Sequence, residues 1–148
     1  YKGDWGAFRR DSVSKTVADL RKSFTARRSA PCVISSSVLA DFDTGYGAAF
    51  QDSRRWAREK MVDWLVPMNY NPQLFDERLS KIRKSLGRSG TAEQLVVGID
   101  CKASVNEIRR QLAAVKKSGC RGYALFAYSY LFENHQLTAK GRALSSLP

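Results

Sequence analysis

The sequence predicts an α/β fold built on a parallel sheet, and two observations carry that prediction. Short β-rich runs alternate with amphipathic helical stretches, and the runs recur at intervals of about thirty residues, the length of one strand–helix unit. The runs are also apolar on both faces rather than at alternate positions, the pattern of parallel strands covered by helices. Four such units fit in the 148 residues.

The elements follow in order. Residues 8–28 read as a helix with Val13, Val17, Leu20 and Phe24 on one face. After the turn at Ser29-Ala30-Pro31, residues 32–39 (C-V-I-S-S-S-V-L) form the first strand, and A-D-F-D-T-G-Y-G-A-A-F-Q reads as a loop. Asp52 is placed to cap a short helix running to Met61. Residues 63–70 make the second strand, and Asn71-Pro72 opens a helix over 73–86 whose Phe75, Leu79, Ile82 and Leu86 form one apolar stripe. The third strand is 93–100. Ser104 and Glu107 then fit a capping box before Val105, Ile108, Leu112 and Val115, and Gly119 stands where a left-handed residue ends the helix. Residues 122–129 (G-Y-A-L-F-A-Y-S) are the fourth strand, and 138–146 a closing helix.

Composition bounds the function. Hydrophobic content of 43% and aromatic content of 11% are those of a folded domain, and no apolar run approaches the roughly 20 residues that span a bilayer. The opening Y-K-G-D-W lacks both a methionine and a secretory pattern, which suggests a fragment or a processed piece. Lys and Arg number 25 against 14 acids, a formal charge of +11. That excess raises a polyanion as partner, but it is spread over successive helices, with no basic run interleaved with aromatics, which argues against nucleic acid. Cys32, Cys101 and Cys120 are far apart in sequence and have no zinc-type spacing, so no metal is expected. With His135 as the single histidine, Cys–His catalysis has little support. No glycine-rich phosphate loop appears, so no nucleotide cofactor is expected.

Periodicity leaves open whether the sheet is an open one or half of an eight-stranded barrel; a complete barrel needs about 250 residues. Three segments speak to this: Q-D-S-R-R-W-A-R-E-K-M-V-D-W-L-V-P-M-N-Y at 51–70, L-V-V-G-I-D at 95–100 and G-Y-A-L-F-A-Y at 122–128. In order and spacing they resemble the second half of the bacterial glycosyl-hydrolase-like family ten, glycoside hydrolases with a TIM-barrel fold. The R-R-D-S-V helix at 9–13 and the P-C-V-I-S-S-S strand fit the same family, so the resemblance covers nearly the whole chain. It implies that the four units are strands five to eight of a barrel, and that residues 1–148 are one partial domain. It also implies a polysaccharide or oligosaccharide substrate, and an export setting common in the family. The family's acidic motif on its fourth strand would lie upstream of residue 1, so the chain alone would be inactive. Its partners would be carbohydrate and either the missing half of the barrel or a second copy.

In a barrel the chemistry sits at the carboxyl ends of the strands. That rule selects Asp41, Asp43, Tyr46, Gln51 and Asp52 after the first strand, and Met68, Asn69 and Tyr70 after the second. Asp100 follows the third strand, and Tyr128, Ser129 and Glu133 the fourth. Glycoside hydrolysis uses two carboxyl groups flanking the bond, with rings and amides holding the sugar. Asp100 is the catalytic candidate on this chain; Asn69, Tyr70, Gln51, Asp52, Tyr46 and Tyr128 are the substrate-binding candidates. Each has a structural alternative: Asp52 as a helix cap, Asp41 and Asp43 as turn formers, Asp100 as a loop-closing aspartate, Tyr128 as packing. Asp63 precedes its strand and belongs to the opposite, stabilising end, and Trp56 reads as core. The competing class is a non-catalytic module that binds glycan or a polyanion.

Overall fold

The structure, a computed structural model, describes residues 2–26, 32–87 and 91–145. The order is α1 (Trp5–Ala26), β1 (Ser35–Leu39), α2 (Phe42–Ala48), α3 (Ser53–Arg58), β2 (Trp64–Met68), α4 (Phe75–Leu86), β3 (Val96–Asp100), α5 (Val105–Lys117) and β4 (Gly122–Phe126). A two-stranded hairpin, β5 (Phe132–Glu133) with β6 (Gln136–Leu137), leads to α6 (Ala139–Ser145). The four long strands form one parallel sheet in the order β1-β2-β3-β4, each beside its neighbour in sequence.

One face of the sheet carries the core. Val38, Leu65, Leu95, Val97 and Ile99 are fully buried there. Against Val38, Leu65 and Leu95 pack Trp56 of α3, Ile82 and Leu86 of α4, and Val13 and Val17 of α1. Against Val97 and Ile99 pack Phe75 and Leu79 of α4, Ile108 and Val115 of α5, and Leu144 of α6. The stripe expected on α4 is therefore buried along its whole length. Trp56 is core, its Nε1 donating to the buried Ser14 Oγ at 2.9 Å.

Among the described residues the opposite face is largely open, with α2 reaching only Leu39 at its β1 end. In register across it lie Ser37 and Val66, then Leu39, Met68, Gly98 and Ala124, then Asp100 and Phe126. Apart from Gly98 these residues are half-buried or exposed. The apolar runs were expected to be sandwiched by helices; instead the buried residues of the helices gather on the face of Val38, Leu65, Leu95, Val97 and Ile99, as strands added in one direction through right-handed crossovers keep their connecting helices on one side. Leu20 and Phe24, expected to share the buried face of α1, stay about half exposed beyond Val13 and Val17.

Two local structures differ from the sequence reading. The stretch after β1 is not a loop but contains α2, capped by Asp41, whose Oδ1 accepts from the backbone N–H groups of Asp43 and Thr44. Its two glycines hide a helix that the cap and the buried Phe42 hold. The fourth strand ends at Phe126, and Tyr128–Tyr130 form a single 3₁₀ turn. The cap at Ser104 forms as expected, its Oγ accepting from Glu107 N–H at 3.2 Å, and Gly119 adopts φ +71°. At the amino end of the sheet Asp63 pairs with Arg21 at 2.9 Å and accepts from Ile34 N–H at 2.8 Å, joining α1 to the starts of β1 and β2.

Candidate functional site at the carboxyl ends of the strands

The carboxyl ends of β2, β3 and β4 bring four residues together on the open face. Tyr70 leaves β2 and lies over β3, where glycine leaves room for it: a Cβ at Gly98 would stand 3.2 Å from the ring's Cε1. The other side of that ring space is taken by Phe126, stacked on Tyr70 with centroids 5.4 Å apart and planes 12° apart. Asp100 shares the open face with Phe126 through their register, and its charge reaches Tyr70. Burial first, then Asp100 and Cys101, push the Tyr70 phenol above its ordinary range, so it stays a hydrogen-bond donor at neutral pH. Asp100 Oδ1 also accepts from Lys102 N–H at 2.9 Å, which orients the carboxylate at the start of the β3–α5 loop. Cys101 beside it is buried, and burial is the main cause of its raised thiol pKa, so it is not an activated nucleophile.

Other candidates have structural duties. Asp52 caps α3, accepting from Arg55 N–H at 3.2 Å. Gln51 Oε1 accepts from Leu39 N–H at 2.9 Å, closing the end of β1. Asp43 pairs with Arg54 at 2.8 Å. The Asp41 carboxyl is held below its ordinary range chiefly by the Thr44 backbone N–H, with a further contribution from that of Asp43. Asn69 is fully buried rather than on the rim: its Nδ2 donates to the Phe75 carbonyl at 2.9 Å, and its backbone N–H points to the Gly98 and Pro67 carbonyls. It ties β2 to α4 from inside, while its Oδ1 has no hydrogen-bond partner among the described residues. Tyr46 is exposed at the β1 corner under the Arg10 guanidinium, 4.2 Å from the ring centroid. Tyr128 is exposed, stacked on Phe132 at 4.3 Å with the planes 3° apart.

The structure adds Phe126, Phe132, Gly98 and Lys102 to the neighbourhood of the site. Strand alternation could have put Phe126 on one face with Gly122 and Ala124, but its meeting with Tyr70 depends on strand register across β3. Among the described residues no group of three or more His, Cys, Asp or Glu is placed to hold a metal. No helix among them is long and apolar enough to cross a membrane. Compared with protein-family models and with curated protein sequences, the chain matches none.

Proposed function

We propose that this chain is the second half of a (β/α)₈ barrel and forms part of a glycoside hydrolase acting on a polysaccharide or oligosaccharide. The observation that carries the reading is the cluster at the carboxyl edge of the open face: Asp100 in register with Phe126, and Tyr70 laid on Gly98 and stacked on Phe126, within reach of the Asp100 charge. An acid beside a protonated phenol and flat apolar rings is the equipment for holding a sugar and acting on its glycosidic oxygen. In this reading Asp100 is one of the two carboxyl groups, Tyr70 donates to the sugar or to the carboxylate, and the second acid comes from the other half of the barrel.

Sequential strand order with the core helices on a single face supports the half barrel, since a doubly wound sheet reverses its order and carries helices on both faces. Four further βα units would pair the free edges of β1 and β4 and close the open face. The resemblance of residues 51–70, 95–100 and 122–128 to the glycosyl-hydrolase-like family supports the chemistry.

The test is release of reducing ends from a panel of polysaccharides by the intact protein. Asp100→Asn is expected to lower kcat at least about tenfold with the fold intact. An unchanged kcat removes Asp100 from the mechanism, and no turnover of any glycan by the wild type overturns the hydrolase reading. The second reading, a glycan-binding module without turnover, is favoured by the structural duties of Asp41 and Asp52, which withdraw two acids from this rim. Binding with no release of reducing ends would select it.

A further inference from the structure

A cavity of about 480 Å³ lies between α2 and α4, a size in the range of small-molecule sites. Phe42 and Ile82 form an apolar floor, and both pack in the core with Val38 on the helix side of the sheet. The walls come from α2, α3 and α4 of this chain, so a partner that closes the open face does not fill it. The charges around the cavity are unevenly used. Arg54, Arg78, Lys81 and Lys84 line it, facing the carboxylates of Asp41, Asp43 and Glu77. All three carboxylates are engaged: Asp41 accepts from the backbone of α2, Asp43 pairs with Arg54 at 2.8 Å, and Glu77 pairs with Lys81 at 2.6 Å. Arg78 is half-buried and its charge reaches Asp41 and Glu77, yet its guanidinium closes no hydrogen bond or ion pair among the described residues.

We propose that this cavity binds a small monocarboxylate, its acid group on Arg78 and its apolar body against Leu74 and the Phe42–Ile82 floor. A guanidinium presents a planar fork of donors, and a carboxylate fills that fork with two parallel hydrogen bonds. The charge count selects the same group. Four cations against three carboxylates leave one positive charge, which a single carboxylate neutralises and a phosphate dianion overshoots. An overshoot is costly here, because Asp41 and Glu77 lie within electrostatic reach of Arg78. The cavity shares no residue with the cluster of Asp100, Tyr70 and Phe126, so the proposal stands whether or not that cluster acts on a glycan.

The test titrates the intact protein at low salt with four probes of similar shape: benzoate, doubly charged phenyl phosphate, benzyl alcohol and benzylamine. Binding is read from amide NMR shifts, which also locate it. Benzoate is expected to bind with a Kd of about 1 mM or below, at least about tenfold more tightly than benzyl alcohol or benzylamine. Its shifts should centre on residues 40–43 and 74–85, and phenyl phosphate should bind no more tightly. Arg78→Gln should weaken benzoate at least about tenfold. Asp43 is exposed, so Asp43→Asn keeps the fold while raising the excess to two positive charges; phenyl phosphate should then gain on benzoate. That variant decides if Arg78→Gln fails to fold. Benzoate no tighter than benzyl alcohol, shifts centred elsewhere, or an Arg78→Gln variant that binds like wild type overturns the site. Phenyl phosphate binding the wild type more tightly than benzoate overturns the single charge, and no saturable binding of any probe overturns the whole proposal. None of these outcomes bears on the hydrolase reading, which release of reducing ends tests separately.

Discussion

Gly98→Ala probes the candidate site at its tightest point. The added methyl would stand 3.0 Å from the Pro67 carbonyl oxygen and 3.2 Å from Tyr70 Cε1. A carbon–oxygen contact is comfortable from about 3.3 Å, and a carbon–carbon contact from about 3.5 Å. Each neighbour would therefore have to yield by about 0.3 Å. The Pro67 carbonyl belongs to β2 and accepts from Asn69 N–H at 2.9 Å, so the backbone resists. The Tyr70 ring is the softer partner and should swing toward solvent, losing its stack on Phe126. Overpacking of this kind costs about 1–3 kcal/mol, offset by about 0.4–1 kcal/mol from the stiffer unfolded chain. The net loss is about 0.5–2 kcal/mol, a fall in Tm of about 2–6 °C. Thermal unfolding reads the first effect. The second is read by ultraviolet titration of the phenols, with Tyr70→Phe subtracted to isolate Tyr70. Its pKa, raised in the native protein chiefly by burial, should fall toward the ordinary tyrosine value of about 10 as the ring becomes wet. Because the native pKa is the raised one, Tyr70 favours folding fully below about pH 10, and that contribution is lost as pH rises through the native value. An unchanged Tm together with an unchanged Tyr70 titration would refute the claim that Gly98 exists to seat this ring.

Three further outcomes are expected. Ser14→Ala should cost about 1–3 kcal/mol in denaturant unfolding, because it strands the buried Trp56 indole N–H that donates to Ser14; no change would mean that the bond adds nothing. Asp63→Asn should lower stability by about 1 kcal/mol near neutral pH. The Asp63 carboxyl is held below its ordinary range chiefly by Arg21, so its contribution is present above about pH 4 and lost as pH falls through the native value; wild type and variant should converge in acid. A gap that persists undiminished in acid would point to a cause other than the ion pair. Asp52→Asn should keep the cap and the stability of α3, whereas Asp52→Ala should lose about 1 kcal/mol; equal stability of the two variants would deny the cap.

Much of the fold could be read along the chain. The α4 stripe and the Ser104 cap are local patterns, and each reports a constraint that lies within one or two turns. The α2 helix escaped because Gly45 and Gly47 imitate a loop, and its stability comes from Phe42 reaching the core. The rim was partly legible. A rule about strand ends selected Asp100, Tyr70 and Tyr128, but it could not separate residues facing solvent from those turned inward. Asn69 and Gln51 show the difference: both are polar residues near strand ends, and each spends one end of its amide on a backbone hydrogen bond, Asn69 its Nδ2 and Gln51 its Oε1. An amide serves a sugar or a strand end equally well, and only the position of the neighbouring backbone decides which it meets.

The sequence alone therefore determined the α/β class, the succession of strand and helix, and the end of the sheet to examine, because hydrophobic period and capping are properties of contiguous residues. Tertiary structure decided the side of the sheet that stays open, and that Tyr70 and Phe126, 56 positions apart in the numbering, share one stack over Gly98 beside Asp100. Those facts depend on register between strands and on which face each helix covers, and neither is encoded in any single stretch of the chain.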